Sequence, residues 1–328
     1  MDTSESNRRP EQTIQRILAP RVVIAVGVVA AIYTLIPVFA QTRAGNYEPL
    51  RTPWGHPNLQ GIWTSNAVMG VPVEQPKETL TAEDIERRDR AAALRKQQEP
   101  NSDVNIVWDE PETERQIRPA SLVVDPPNGR IPITPEMQQA VDDWGPSHYG
   151  IGIESWRDLD LWDRCITKGF PTVMAPMGYN NAYEIMQTPE FVVIRYEIIH
   201  DMRIIPLGDQ EPLHEGIRQY WGDARGHWEG NTLVVEVTNF TDKTFGTQQP
   251  LGSYRGGGSD MRVIERFTLT DEETIDYRAT LEDPRAFTRP WTLAIPLIRD
   301  ESYVIYEYAC HEGNYGMEHI LSAAFKDR

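Results

Sequence analysis

The pattern of apolar and polar positions divides this chain into three stretches. In the first, Val22 to Ala40 forms an uncharged, largely apolar run preceded by Arg8, Arg9, Arg16 and Arg21. In the second, from residue 41 to about residue 150, large apolar side chains are sparse. Leu59 to Ser65 reads as a strand, and Thr81 with Asp84 caps a charged helix running from Ala82 to about Gln98. Glu99 to Arg118 is polar, holds Pro100 and Pro111, and reads as a loop. Ser121 to Val124 then predicts a short strand ending in the turn Pro126-Pro127-Asn128-Gly129. This stretch is expected to form an irregular N-terminal arm with one surface helix.

The third stretch is different. Ala182–Gln187, Phe191–Glu197, Met202–Pro206, Thr232–Val237, Arg262–Leu269, Thr274–Leu281, Trp291–Leu297 and Tyr303–Tyr308 are short runs rich in β-branched and aromatic residues, separated by turn chemistry. Glu229-Gly230-Asn231 and Thr270-Asp271-Glu272-Glu273 are the clearest hairpin connections, and no spacing admits a crossover helix. The expected fold is mainly β with short helices: an antiparallel meander over residues 151–328 that closes into a strongly curved sheet or barrel. Gly316 to Lys326 predicts a final helix, with Met317, Ile320, Leu321 and Ala324 on one face to cover an open end.

The first stretch gives the protein its expected address. A basic flank, an apolar core and Val38-Phe39-Ala40 at the end match a signal peptide cleaved before Gln41; the same run, read as an uncleaved anchor, is long enough to span a bilayer. Both readings put the folded part in the periplasm or outside the cell, and they confine any membrane contact to residues 22–40. The two cysteines, Cys165 and Cys310, are expected to pair there, with two separate buried thiols as the alternative. A catalytic Cys310–His311 pair is disfavoured because neighbours on a strand point to opposite faces.

Charge narrows the list of partners. With 32 basic and 49 acidic side chains the formal charge is −17, which repels phosphate backbones and anionic lipid surfaces, so nucleic acid is excluded as a partner. The sequence contains no G-x-x-x-x-G-K-[ST], G-x-G-x-x-G, G-x-S-x-G, H-E-x-x-H or C-x-x-C motif, so nucleotide, α/β-hydrolase and zincin readings lose their support and no cofactor is expected, with His200, His311 and carboxylates as metal ligands left open as a variant. Gly256-Gly257-Gly258 lies in a polar segment and reads as a mobile loop over the sheet.

Three polar clusters beside aromatics hold the candidate chemistry. Glu197-Ile198-Ile199-His200-Asp201-Met202-Arg203 places two carboxylates, an imidazole and a guanidinium at a strand end, as proton transfer requires if the chain bends at Ile199. Glu307 to Tyr315 offers His311 or Tyr315 as the opposing acid, and Trp221 to Gly230 contributes Trp221 and Arg225. Tyr179 and Trp291 complete a candidate substrate-binding wall. Each cluster also has a plain structural reading as a polar turn, in which Asp201 caps amides and Arg203 pairs with Glu197.

Arg164-Cys165-Ile166-Thr167-Lys168-Gly169-Phe170-Pro171, Ile199 to Pro206, Asn239-Phe240-Thr241-Asp242-Lys243-Thr244 and Tyr306 to Met317 together resemble a family of exported bacterial proteins known mainly as hypothetical. The likeness runs from Leu59 to Ser322. It implies a bacterial, exported origin and assigns no mechanism. Two function classes follow from the residues themselves: an acid–base enzyme of the lyase, dehydratase or isomerase class acting on a small, partly hydrophobic molecule, or a non-catalytic protein that binds a small molecule or an envelope partner.

Overall fold

The computed structural model describes residues 47–75, 90, 117, 119–148, 153, 155–246 and 251–326. The segment expected to direct export lies outside them, as does the expected helix from Ala82 to Gln98 except for Arg90. In chain order the described elements are β1 (Gly61–Thr64), β2 (Val123–Asp125), α1 (Pro135–His148), β3 (Ala182–Gln187), β4 (Phe191–Tyr196), β5 (Met202–Pro206), β6 (Asp223–Glu229), β7 (Thr232–Thr238), β8 (Arg262–Asp271), β9 (Thr274–Glu282), β10 (Trp291–Arg299) and α2 (Gly316–Lys326).

The strands form one antiparallel sheet in the order β5-β4-β3-β1-β10-β9-β8-β7-β6, with β2 on the edge of β10 beside β1. The two outermost strands, β5 and β6, come together at a seam. There Leu207 and Gly226 form a parallel bridge, and Gly208 N donates to Gly226 O at 3.1 Å. Gly226 permits this approach because a Cβ on it would lie 2.9 Å from both Ile205 Cγ2 and Leu207 Cδ2. The result is a nearly closed, barrel-like sheet, mainly β as the sequence predicts.

Alternation along the strands sets the interior. On β7, β8, β9 and β10 the alternating buried residues are Leu233, Val235 and Val237; Val263, Glu265, Phe267 and Leu269; Ile275, Tyr277, Ala279 and Leu281; and Trp291, Leu293, Ile295 and Leu297, with Val234, Thr274 and Ile298 buried between or beside them. Their registers place Val235, Glu265, Ala279 and Leu293 in one inward row. Because neighbouring strands are antiparallel, the connections fall at two ends. The tight hairpins 188–190, 230–231 and 272–273 gather at one. The longer connections 197–201, 239–261 and 283–290 gather at the other, together with the chain entering β3. Long connections on a rigid frame are where sites are built.

Several expectations change. Residues 135–148, inside the supposedly irregular arm, form α1; Thr134 Oγ1 accepts from Met137 N at 3.1 Å, and Pro135 sits at the first helical position. Tyr303 to Tyr308 forms no strand; its Tyr303 hydroxyl and Tyr306 amide meet Glu197 of the β4–β5 turn instead. The Gly256-Gly257-Gly258 segment is buried and tied down. Gly257 N donates to Tyr254 Oη at 2.7 Å, Gly258 N to Asp283 Oδ2 at 2.8 Å, and Thr244 Oγ1 to Gly257 O at 2.7 Å. It is packed filling at the barrel end, not a mobile loop. In α2, Met317, Ile320 and Leu321 are half-buried and none joins the central core.

Candidate functional site

The β4–β5 turn stands at the end with the long connections. Its two isoleucines, Ile198 and Ile199, are both buried, and burying consecutive residues forces the backbone out of the extended form. Ile199 takes φ 61 and His200 φ 43, both left-handed, which for a β-branched residue costs about 1–3 kcal/mol. Tyr196 N donates to Asp201 O at 2.8 Å and His200 N to Glu197 O at 3.0 Å, closing the bend.

That bend exposes the imidazole. His200 Nδ1 lies 2.7 Å from Tyr308 O. A carbonyl only accepts, so Nδ1 carries the hydrogen and Nε2 is left as the basic nitrogen of the neutral ring. Asp201 is half-buried, and among the described residues its carboxyl takes one hydrogen bond, from Trp221 Nε1 to Oδ2 at 3.1 Å. Burial pushes this carboxyl up to about 6, against the opposing pull of the indole N–H and of His200.

Trp221 caps an aromatic stack. Its ring lies 5.0 Å from Tyr196 and 5.9 Å from Phe170, and Phe170 stacks on Phe240 at 6.2 Å. Arg203 lies in the interior below. Its Nη1 and Nη2 reach Glu265 Oε1 and Oε2 at 3.1 and 2.5 Å, Nη1 also meets Tyr196 Oη at 3.1 Å, and the guanidinium sits 4.5 Å above the Phe170 ring. Tyr277 Oη donates to Glu265 Oε1 at 3.1 Å. Burial works against the Arg203 charge, but the Glu265 carboxylate, with Tyr196 and Tyr277, outweighs it and raises the guanidinium above its ordinary range. Arg203 Nε is buried without a partner.

Glu197 is fully buried and used. The Tyr303 hydroxyl lies 3.0 and 2.8 Å from its two oxygens, and Tyr306 N donates to Oε1 at 3.0 Å. Residues 303–310 thus lie as a strap over the turn. Tyr308 stacks on Tyr179 at 6.4 Å, and the strap ends in the Cys165–Cys310 disulfide, whose Cα atoms are 5.6 Å apart. The bond points to a non-cytoplasmic environment.

The structure therefore divides the sequence-predicted residues. His200, Asp201, Trp221 and, through Tyr308, Tyr179 are brought to one region. Glu197 and Arg203 flank it, but Arg203 pairs with Glu265 across the interior and not with Glu197. His311 and Tyr315 are exposed, Tyr315 stacks on His319 at 6.5 Å, and among the described residues no contact joins either to His200 or Asp201. Arg225 is engaged by Asp223 and by the Glu211 carbonyl. Trp291 is core, fully buried against Phe287 at 5.6 Å and Tyr254 at 6.3 Å, and lines no open surface.

Two functional-looking groups escaped the sequence reading. Glu265 interrupts the inward row Val263, Phe267, Leu269, and a carboxylate at an apolar position of a strand was the available signal. Lys168 is 4% exposed, its Nζ donates to Ala175 O at 3.2 Å, and burial with no offsetting carboxylate lowers it to about 7. Among the described residues no three His, Cys, Asp or Glu side chains converge to hold a metal ion, and no helix is long and apolar enough to cross a membrane. No protein-family model matches the chain, and neither a curated protein nor a solved structure matches it.

Proposed function

We propose that this protein is an acid–base enzyme of the lyase, dehydratase or isomerase class, acting outside the cytoplasm on a small, partly hydrophobic molecule. The observation that carries the proposal is the half-buried Asp201 carboxyl, raised to about 6, joined to the protein by one indole N–H and set beside the Trp221, Tyr196 and Phe170 rings. A carboxyl titrating near neutrality both gives and takes protons at useful rates. In this scheme Asp201 moves the substrate proton, His200 Nε2 serves as the partner acid or base, and Trp221 supports the apolar part of the substrate. Glu197 and Arg203 act as positioning residues for the turn and the aromatic stack.

A second reading, a binding protein without chemistry, is favoured by one specific observation: Glu197 is held by Tyr303 and the Tyr306 amide, and the terminal nitrogens of the buried Arg203 by Glu265 and Tyr196, so both are turned to the protein and not to a substrate. Incubating the purified protein with a cell extract in D2O separates the two. The enzyme reading expects metabolites that gain deuterium with wild-type protein and lose about 10²–10⁴-fold in rate with Asp201→Asn. Metabolites that co-purify with the protein but never exchange a proton would establish binding instead.

A further inference from the structure

The strap and the β4–β5 turn share contacts that proton transfer leaves unexplained. Residues 303–310 follow β10, lay Tyr303 and the Tyr306 amide on the buried Glu197, give the Tyr308 carbonyl to His200, and end at Cys310. Beneath them the turn keeps two successive left-handed residues, Ile199 and His200. Such backbone persists only where its surroundings over-determine it, and the strap supplies those surroundings. The strap itself forms no strand ladder, so its hold on the turn depends on Glu197, on the Tyr179–Tyr308 stack and on the covalent bond at its end.

We infer that the Cys165–Cys310 disulfide is a redox latch: bonded, it keeps residues 303–310 closed over the β4–β5 turn, and reduced, it releases them and lets the turn relax. Cys310 is half-buried and Cys165 buried, so Cys310 is the more open of the two to an incoming thiolate. Cys165 then leaves as a thiolate that accepts a hydrogen bond from Asn314 Nδ2, which already lies 3.3 Å from its sulfur. A dithiol reductant completes the exchange. Its first sulfur forms a mixed disulfide with Cys310, its second displaces Cys310, and two electrons and two protons pass from the dithiol to the two cysteines as the reductant closes into its own disulfide. The consequence for turnover rests on the acid–base role of Asp201, whereas the coupling between strap and turn stands on the contacts alone.

The test is amide hydrogen exchange on the full-length protein, oxidised and after reduction with dithiothreitol, with free thiols counted by alkylation. Reduction is expected to speed exchange at Tyr196, His200 and Tyr306 by about tenfold or more, as local opening replaces global opening, while the β8–β9 amides stay protected. Unchanged exchange at those three amides with both thiols free would overturn the latch. Should reduction also release β8 and β9, Tyr303→Phe decides. Coupling is reciprocal, so loosening the strap from Glu197 must ease reduction, lowering the dithiothreitol concentration for half-reduction by about tenfold, the effect of one buried hydrogen bond. An unshifted half-reduction point refutes the latch. Because no readout involves a substrate, a wrong assignment of Asp201 leaves these outcomes untouched.

Discussion

At the residue scale, two buried groups whose shifts bring them near neutrality pull stability in opposite directions with pH. Asp201 rises from its ordinary 3.8 to about 6 because burial disfavours the charge. The folded chain therefore holds this proton more tightly than the unfolded chain, and the stabilisation is present below about pH 4 and lost as pH passes 6. Asp201→Asn keeps an oxygen for Trp221 and removes the charge. Its stability relative to wild type, read from urea midpoints, should grow by about 2–3 kcal/mol between pH 4 and 7; a constant difference would mean that Asp201 titrates normally. Lys168 behaves oppositely, lowered from 10.5 to about 7, so the unfolded chain holds more protons across that interval and wild-type stability rises with pH from about 7 upward. Lys168→Met should be more stable than wild type at pH 6 by a few kcal/mol, less the roughly 1–3 kcal/mol cost of stranding Ala175 O, and its advantage should vanish near pH 10. Of these residues only Asp201 was legible beforehand, because it stands in a polar cluster. Lys168 sits alone in an apolar motif, and its meaning comes from burial, which the local sequence does not encode.

At the element scale, the strands of the third stretch were legible nearly to the residue, since β-branched runs between Gly, Asn and Asp turns leave few alternatives. Ala182–Gln187 and Met202–Pro206 match their predicted bounds. Tyr303 to Tyr308 has the same composition and forms no strand. What separates it is the lack of a free edge: β10 is already flanked by β9 on one side and by β1 and β2 on the other. The α1 helix was hidden for the opposite reason, because among its described side chains only Met137 is fully buried, and its start rests on the Thr134 cap. The seam between β5 and β6 is equally local. Gly226→Ala would press a methyl group against Ile205 and Leu207, so differential scanning calorimetry should show a loss of about 1–3 kcal/mol. A neutral result would indicate that the seam has slack and that the barrel is open there.

At the scale of the whole molecule, closure depends on strands far apart in sequence. β1 enters from the N-terminal stretch and lies between β3 and β10, pairing Trp63 with Tyr183 on one side and with Arg299 on the other. No periodicity within residues 61–64 could reveal either partner. The interior is crossed by a second long-range tie, the Arg203–Glu265 pair, which joins β5 near one outer edge to β8 on the other half of the sheet; side-chain exposure is 4% and 0%. Such a pair is costly to bury and strongly destabilising to break on one side. Glu265→Leu would leave the guanidinium charged beside Phe170 with only Tyr196 to meet it, so a loss of about 3–5 kcal/mol is expected. Arg203→Met combined with Glu265→Leu removes both charges and both desolvation penalties, and should recover most of that loss. Chemical denaturation of the two single variants and the double variant closes the cycle. Recovery would show that the pair fixes how the two halves of the barrel register rather than how firmly they are held; a double variant as weak as the singles would make the ion pair a net source of stability and place the strength of the fold in its polar centre.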